Sequence, residues 1–303
     1  VVKARKVAII APEHFLAETA SENVMAGPAM SRRATFQFGT NLTPGPQGTM
    51  GSGIGRGVAI ELGKRGAHVV RADIEAKGLL EVEKEFAENK CNPPLLVLGD
   101  QSKEADVQAT VTKTIKHFGG LDGAVINAGI GISDKLEDLD VEKWRRGLDI
   151  NLSSAFMLTK EAMKVMRKQK MGGSIVYIAS KNAFAPGAGF GGYSVSKAGM
   201  LQLMRIAALE GGNAGIRFNG INPDAVFDNS KLWEGGIREQ RAAAHGVKPE
   251  ELEDFYASRN LLNARVRSLD VARAAAFFLS DESSRTTGSV IAVDGGVAAA
   301  FPR

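Results

Sequence analysis

The chain has 303 residues, 44% of them hydrophobic and 24% charged, enough to bury one substantial core and too few for two full domains. Net charge is +4, with Lys and Arg interspersed among Asp and Glu rather than clustered, which argues against a nucleic-acid partner. Cys91 is the only cysteine, so an internal disulfide is excluded and a reducing, cytoplasmic setting is expected. No apolar run approaches the roughly 20 residues that cross a bilayer, and Val7 to Ile10, stopped by Pro12 and Glu13, is too short for a secretory leader. The chain opens on Val1 rather than methionine, as a piece of a longer or processed protein does.

Strand and helix patterns alternate along the chain, which predicts a doubly wound parallel α/β sheet with right-handed crossovers, in one domain over residues 1–303. Val7 to Ile10 reads as the first strand. Ile54 to Arg65 reads as a helix ended by Gly66, followed by a strand from His68 to Ala72. A charged amphipathic helix, Glu75 to Asn89, leads to strand Leu95 to Leu98. Helix Lys103 to Phe118 and strand Gly123 to Ile126 come next. Val141 to Gln169 reads as one long helix, with a break expected near Gly147. Strand Ile175 to Ile178, helix Tyr193 to Glu210, strand Arg217 to Ile221, helix Asp270 to Leu279 and strand Val290 to Val293 complete the series.

Two stretches break this rhythm. Residues 11–50 separate the expected first strand from the glycine turn Gly51-Ser52-Gly53-Ile54-Gly55. Residues 224–263 form a connection of a length usually kept for lids and binding loops. Phe227 and Trp233 in the second stretch are candidates either to line a pocket or simply to pack the lid onto the body.

Chemistry concentrates around Tyr193 and Lys197. Four residues apart on a helix, they share one face, and a cation beside a phenol favours phenolate. Alone, such a pair reads rather as a solvated contact between neighbouring turns. Here Ser180 closes the apolar run from Ser174, which reads as a buried strand, and its end is where open α/β sheets place their sites.

These residues, with Asn127-Ala128-Gly129 and the Gly53-Ile54-Gly55 turn, resemble the short-chain dehydrogenase/reductase family from Val2 to about Gly296. The resemblance implies that Ser180, Tyr193 and Lys197 are catalytic and that Asn151 completes a proton relay. Tyr193 would exchange the proton, Lys197 would lower its pKa and contact the nicotinamide ribose, and Ser180 would orient the substrate oxygen. It implies a nicotinamide dinucleotide held by Gly51, Ser52, Gly53, Ile54, Gly55, Asp73, Asp100, Asn127, Ala128, Gly129, Tyr193, Lys197 and Pro223. It also implies a small-molecule substrate, no metal, and a homodimer or homotetramer formed through the long helices.

The family's phosphate-loop pattern T-G-x-x-x-G-x-G is incomplete, because Gly48 and Thr49 occupy the places of its threonine and first glycine. Residues 11–50 read as an ordered flap, as a tolerated loop with Gly51 replacing the lost glycine, or as a defect that closes the site. Asp73, at a strand end, suits an adenosine ribose 2′-OH and favours NAD, and as the alternative it caps the next helix. Arg56 and Arg71 keep NADP as the other option. Asp100 has the same two readings, adenine contact or helix cap. Asp224 stands where the family has glycine and reads either as a ligand for a second substrate hydroxyl or as a turn former.

The segments around Pro223 to Phe227, Lys231 to Trp233, Phe255-Tyr256 and Ala300 to Arg303 further resemble the dehydrogenase half of bifunctional rhamnulose-1-phosphate aldolase/alcohol dehydrogenase proteins. That implies NAD-dependent action on lactaldehyde or a related hydroxyaldehyde, sugar or polyol, with an aldolase domain in the full-length protein. The alternative is a catalytically silent dehydrogenase fold that acts as a binding module.

Overall fold

The computed structural model describes the backbone of residues 34–38 and 231 and, with side chains, residues 53–228, 230, 232–234 and 236–301. Seven strands form one parallel sheet in the order β3-β2-β1-β4-β5-β6-β7. They are β1 (Ala34–Phe38), β2 (His68–Asp73), β3 (Leu95–Leu98), β4 (Leu121–Ile126), β5 (Gly173–Ile178), β6 (Ile216–Pro223) and β7 (Val290–Val293). All but the first agree closely with the expected strands.

The first strand corrects the sequence reading. Ala34–Phe38 takes the central place, paired in parallel with β2 from Ala34↔His68 to Phe38↔Ala72 and with β4 up to Phe38↔Ile126. Its Ala-Thr-Phe-Gln-Phe sequence has the β-branched and aromatic content that strands favour. Residues 11–50 therefore contain a strand of the sheet, and the connection onward is residues 39–52. Val7 to Ile10, Gly51 and Ser52 lie outside the described residues.

The sheet alternates its side chains between two cores, as a strand's two-residue period requires. On β4 and β5, Ala124, Ile126, Ile175 and Tyr177 face one core; Val125, Val176 and Ile178 face the other. Helices α3 (Glu104–Phe118), α5 (Ser154–Gln169) and α6 (Gly191–Gly211) supply the first core, through residues such as Val111, Leu158 and Met204. Helices α1 (Gly53–Lys64), α2 (Ala76–Glu88) and α9 (Ser268–Leu279) supply the second, through Val58, Phe86 and Phe278. Each large apolar side chain fully buried this way contributes about 1.5–3 kcal/mol relative to exposure. Contact between α1 and α9 is close enough that a Cβ on Gly57 would lie 2.8 Å from the Ser268 Cβ.

The expected break in the long helix is real. Helix α4 (Val141–Leu148), capped by the Asp140 carboxylate on the N–H groups of Glu142 and Lys143, runs into a π-helical turn at Asp149–Ser153 before α5 begins. Asn151 sits in that turn. Single π turns widen a helix and commonly present a side chain at a functional site.

Residues 224–263 do not form one loop. They contain the short turn Lys231–Trp233 and the helices α7 (Ile237–His245) and α8 (Leu252–Ser258). The segment has a small apolar cluster of its own, built on Ala242, Leu252 and Tyr256 with Phe227, Trp233 and Phe255 packed against them. Strand order reverses between β1 and β4, which leaves a crevice at the carboxyl ends of the strands. Residues of the 224–263 segment, among them Asp224, Trp233 and Tyr256, line it.

Candidate active site

That crevice is a solvent-open cleft whose walls include Gly53, Asn127, Ser180, Tyr193, Lys197 and Trp233. Its floor comes from strand ends and its back from the first turns of α6. Two residues past β5, Ser180 is 7% exposed, and its Oγ accepts the Asn182 N–H at 3.2 Å, capping the turn Lys181–Ala183. Tyr193, in the first turn of α6, is also 7% exposed and faces the same cleft.

Lys197 follows one turn later and is almost wholly buried. Its Nζ donates to the carbonyl of Ile178, the last residue of β5, at 2.9 Å, and lies 5.7 Å from the Tyr193 ring centre. Asn151 joins the constellation from the π turn. Its Oδ1 accepts the Ile130 N–H at 2.7 Å, and its Nδ2 donates to the Ile130 carbonyl and to Ser196 Oγ, each at 3.0 Å. Ser196 Oγ in turn donates to the Tyr193 carbonyl at 2.7 Å. The four residues named from sequence are thus brought together, and Asn151 ties the loop after β4 to α6.

The electrostatics modify the expected division of labour. Burial pushes the Tyr193 phenol up to about 12; hydrogen bonding from Ser180 opposes the rise and the Asp224 carboxylate adds to it. Burial also brings the Lys197 ammonium down to about 7. Burial is the largest influence on both groups. The ammonium is bonded to a main-chain carbonyl. Such poised, desolvated pairs are typical of sites that move protons.

The described part of the cofactor region fits a dinucleotide. Gly53 and Ile54, at the N-terminus of α1, line the cleft, and Gly53 holds φ at +62°. Free N–H groups at a helix N-terminus suit a pyrophosphate. Asn127 and Gly129 line the same cleft, and a Cβ on Gly129 would lie 3.3 Å from Lys197 Nζ and 3.4 Å from Asn151 Oδ1. Ala128 is buried beside them, Gly55 is buried within α1, and Pro223 ends β6 at the cleft wall.

Neither Asp73 nor Asp100 caps the helix that follows it, the alternative that sequence offered: those helices begin after Glu75 and Lys103 without a side-chain cap, and each aspartate closes a turn ahead of its helix. Asp73 Oδ1 accepts the Glu75 N–H at 3.1 Å, and its Oδ2 meets the buried Arg71 guanidinium at 3.0 Å. Burial raises the Asp73 pKa, against the lowering effect of Arg71. Asp100 Oδ1 accepts from the Ser102 N–H at 3.0 Å and from its hydroxyl at 2.7 Å. Arg56 is paired with Glu85.

On the substrate side, Asp224 lines the cleft, but both its oxygens accept from Arg259 Nη2, at 2.9 and 2.7 Å. Arg259 also stacks over Tyr256 at 3.9 Å. Trp233 lines the cleft; Phe227 lies behind it, stacked at 4.2 Å with an 8° interplanar angle. The Trp233 indole donates to the Val226 carbonyl at 2.8 Å. Sequence reasoning missed Lys181, Asn182, Phe190, Arg241 and Tyr256 on these walls. Lys181 and Asn182 were signalled by their place beside Ser180. Arg241 and Tyr256 reach the cleft only through the fold of the lid.

Among the described residues, no cluster of histidine, cysteine and carboxylate could hold a metal ion, and no helix is long and apolar enough to cross a membrane. A family profile described as "Enoyl-(Acyl carrier protein) reductase" matches residues 48–298. An uncharacterised oxidoreductase of Bacillus subtilis (strain 168), YuxG, is 38% identical over 272 residues, covering 89% of this chain and 39% of that protein. This chain therefore spans well under half the length of that relative. The crystal structure of levodione reductase superposes with a TM-score of 0.78 at 29% identity, over 89% of this chain and 99% of that one. An actinorhodin polyketide ketoreductase variant solved with NADPH gives 0.79 at 25% identity, over 88% and 97%. The chain belongs to the short-chain dehydrogenase/reductase family.

Proposed function

We propose that this family member is an NAD-preferring dehydrogenase that acts on the carbinol or carbonyl of a small hydroxyaldehyde, sugar or polyol, with a lactaldehyde-like compound favoured. Family membership supplies the oxidoreductase activity and the nicotinamide cofactor class. The observation that carries this reading is the convergence of Ser180, Tyr193 and Lys197 at one cleft with the N-terminus of α1, with Asn151 buried behind them on the Ile130 main chain.

When bound, the nicotinamide accepts or gives the hydride. The chain's residues manage the proton and the geometry. Ser180 holds the substrate oxygen. Tyr193 Oη takes the hydroxyl proton during oxidation and returns it during reduction, a contribution of about 10²–10⁴-fold. A phenol at about 12 serves best as the acid. To serve as base it needs a protonated Lys197 turned from the Ile178 carbonyl toward the cofactor ribose and the phenol, which stabilises phenolate. Asn151, fixed to the Ile130 main chain, holds the end of a relay that resupplies Lys197.

NAD is preferred because the two cations near the adenosine end are already engaged. Arg71 is fully buried against Asp73, and Arg56 is held by Glu85, so neither is presented to a 2′-phosphate, while Asp73 would repel one. The longer Bacillus relative supports a full-length protein with a further domain, for which an aldolase is the proposed identity. Exposed Phe156 on α5 and Leu209 on α6 support a homo-oligomer built on those helices. The single cysteine supports a cytoplasmic location.

One observation favours a second reading, the silent binding module. Ser230 of the lid lies 3.3 Å from where a Gly53 Cβ would be, so the lid presses on the helix N-terminus that a pyrophosphate needs. Titration with NADH and NADPH, followed by turnover of lactaldehyde and polyols, separates the two. Saturable NADH binding with turnover is the expected result, and absence of both supports the silent module.

A further inference from the structure

Besides Lys197, two cations line the cleft without a carboxylate to meet them. Lys181 directly follows Ser180, and its Nζ donates to the Ala185 carbonyl at 3.1 Å. Arg241 enters from α7 and is only 7% exposed. Its Nη1 donates to the Ala188 carbonyl at 3.1 Å, and its Nη2 lies 3.0 Å from His245 Nε2. The guanidinium sits 5.4 Å from the Phe190 ring centre, and Phe190 packs on Tyr193 at 4.7 Å. Both cations are thereby tied to the residues around the reacting centre.

Asp224 is the only carboxylate among the described residues of the cleft wall, and Arg259 occupies both its oxygens. Asp294, the other acid acting on Lys181, is buried away from the cleft wall and accepts the Gly296 N–H at 2.8 Å. The wall is left with net positive charge. A nearly buried guanidinium that meets only neutral acceptors is costly to desolvate, and an arriving anion would offset that cost. Burial lowers the Lys181 pKa, with Arg259 and Arg241 adding to the effect, which is the strain a bound anion relieves.

We propose that Lys181 and Arg241 form an anion subsite that holds the terminal carboxylate or phosphate of a polyhydroxylated substrate whose carbinol faces Ser180 and Tyr193. The inference rests on the dehydrogenase reading of the same cleft and deepens it. Within the sugar and polyol class, it ranks acid- or phosphate-bearing members above neutral ones. Arg offers a planar fork matched to either oxyanion, and Lys adds a point charge.

The test is calorimetric titration of the wild-type chain, with NADH present, against three matched six-carbon probes: sorbitol, gluconate and sorbitol 6-phosphate. One of the two anions should bind at least about tenfold tighter than sorbitol, a difference of 1.4 kcal/mol. Whichever anion wins identifies carboxylate or phosphate as the terminal group. Lys181→Gln, at a partly buried loop position, should bring the anion and sorbitol affinities together. Arg241→Gln should do the same if it folds, as judged by circular dichroism, and Lys181→Gln carries the test if it does not. Equal affinity for all three probes in the wild type, or an anion preference that survives Lys181→Gln, would overturn the subsite. NADH fluorescence is read separately. An anion preference that depends on Lys181 in a chain that binds no NADH would sink the dehydrogenase reading and leave the subsite standing.

Discussion

The β5–α6 wall and the β1–α1 corner face the same cleft and are built on opposite principles. On the wall the functional side chains are buried; Lys197 and Asn151 are tied to the main chain of other elements, at Ile178 and Ile130, and Ser180 to its own turn at Asn182. At the corner, the described groups are a helix N-terminus, a glycine at positive φ and a lid residue lying close above it. The wall presents side-chain chemistry held by hydrogen bonds, whereas the corner presents backbone. Substitutions on the wall should therefore remove chemistry or stability, and substitutions at the corner should change affinity or packing.

The largest effect is expected at the wall. Tyr193→Phe should lower turnover about 10²–10⁴-fold with an unchanged unfolding midpoint, because only the hydroxyl is lost. Unchanged turnover would remove Tyr193 from the chemistry. Lys197→Met tests the buried ammonium through stability against pH. The folded pKa of about 7 lies below the ordinary 10.5, so the unfolded chain binds more protons between those values. Wild-type stability should therefore rise from pH 7 toward 10.5 and be lost as pH falls to about 7. The variant, followed by urea unfolding across that window, should lack this slope, and an identical slope would place the charge elsewhere.

Asn151→Ala should cost about 1–3 kcal/mol, the range for a buried main-chain group left unpaired, since it orphans the Ile130 N–H. At the corner, Gly57→Ala drives a methyl into Ser268 and should cost about 1–3 kcal/mol with little change in turnover per folded molecule. Asp73→Asn should be mildest, shifting the ratio of NAD to NADP affinity toward NADP by about tenfold, or 1.4 kcal/mol. No change in that ratio would reduce Asp73 to its turn with Glu75 and its Arg71 pair.

The same contrast explains what the sequence made legible. Tyr193, Lys197 and Ser180 could be read because a helix turn and a strand end place them by local rules alone. The break before α5 was expected near Gly147, although the π turn that aims Asn151 has no local signature. Strand β1 was misplaced because Val7 to Ile10 and Ala34–Phe38 are both short runs of strand-like residues, and only pairing with β2 and β4 separates them. Asp224 and Arg259 are 35 residues apart, so the pair that occupies the expected substrate carboxylate exists only in three dimensions. Arg241 joined the cleft for the same reason.

The most direct test of the account is a fluorescence titration of the chain with NADH and, in parallel, NADPH. The account predicts saturable binding with NADH the tighter of the two, which would mean that the corner cradles a pyrophosphate in front of an intact catalytic wall. Failure of both to bind would contradict it, leaving a dehydrogenase wall opposite a closed cofactor site.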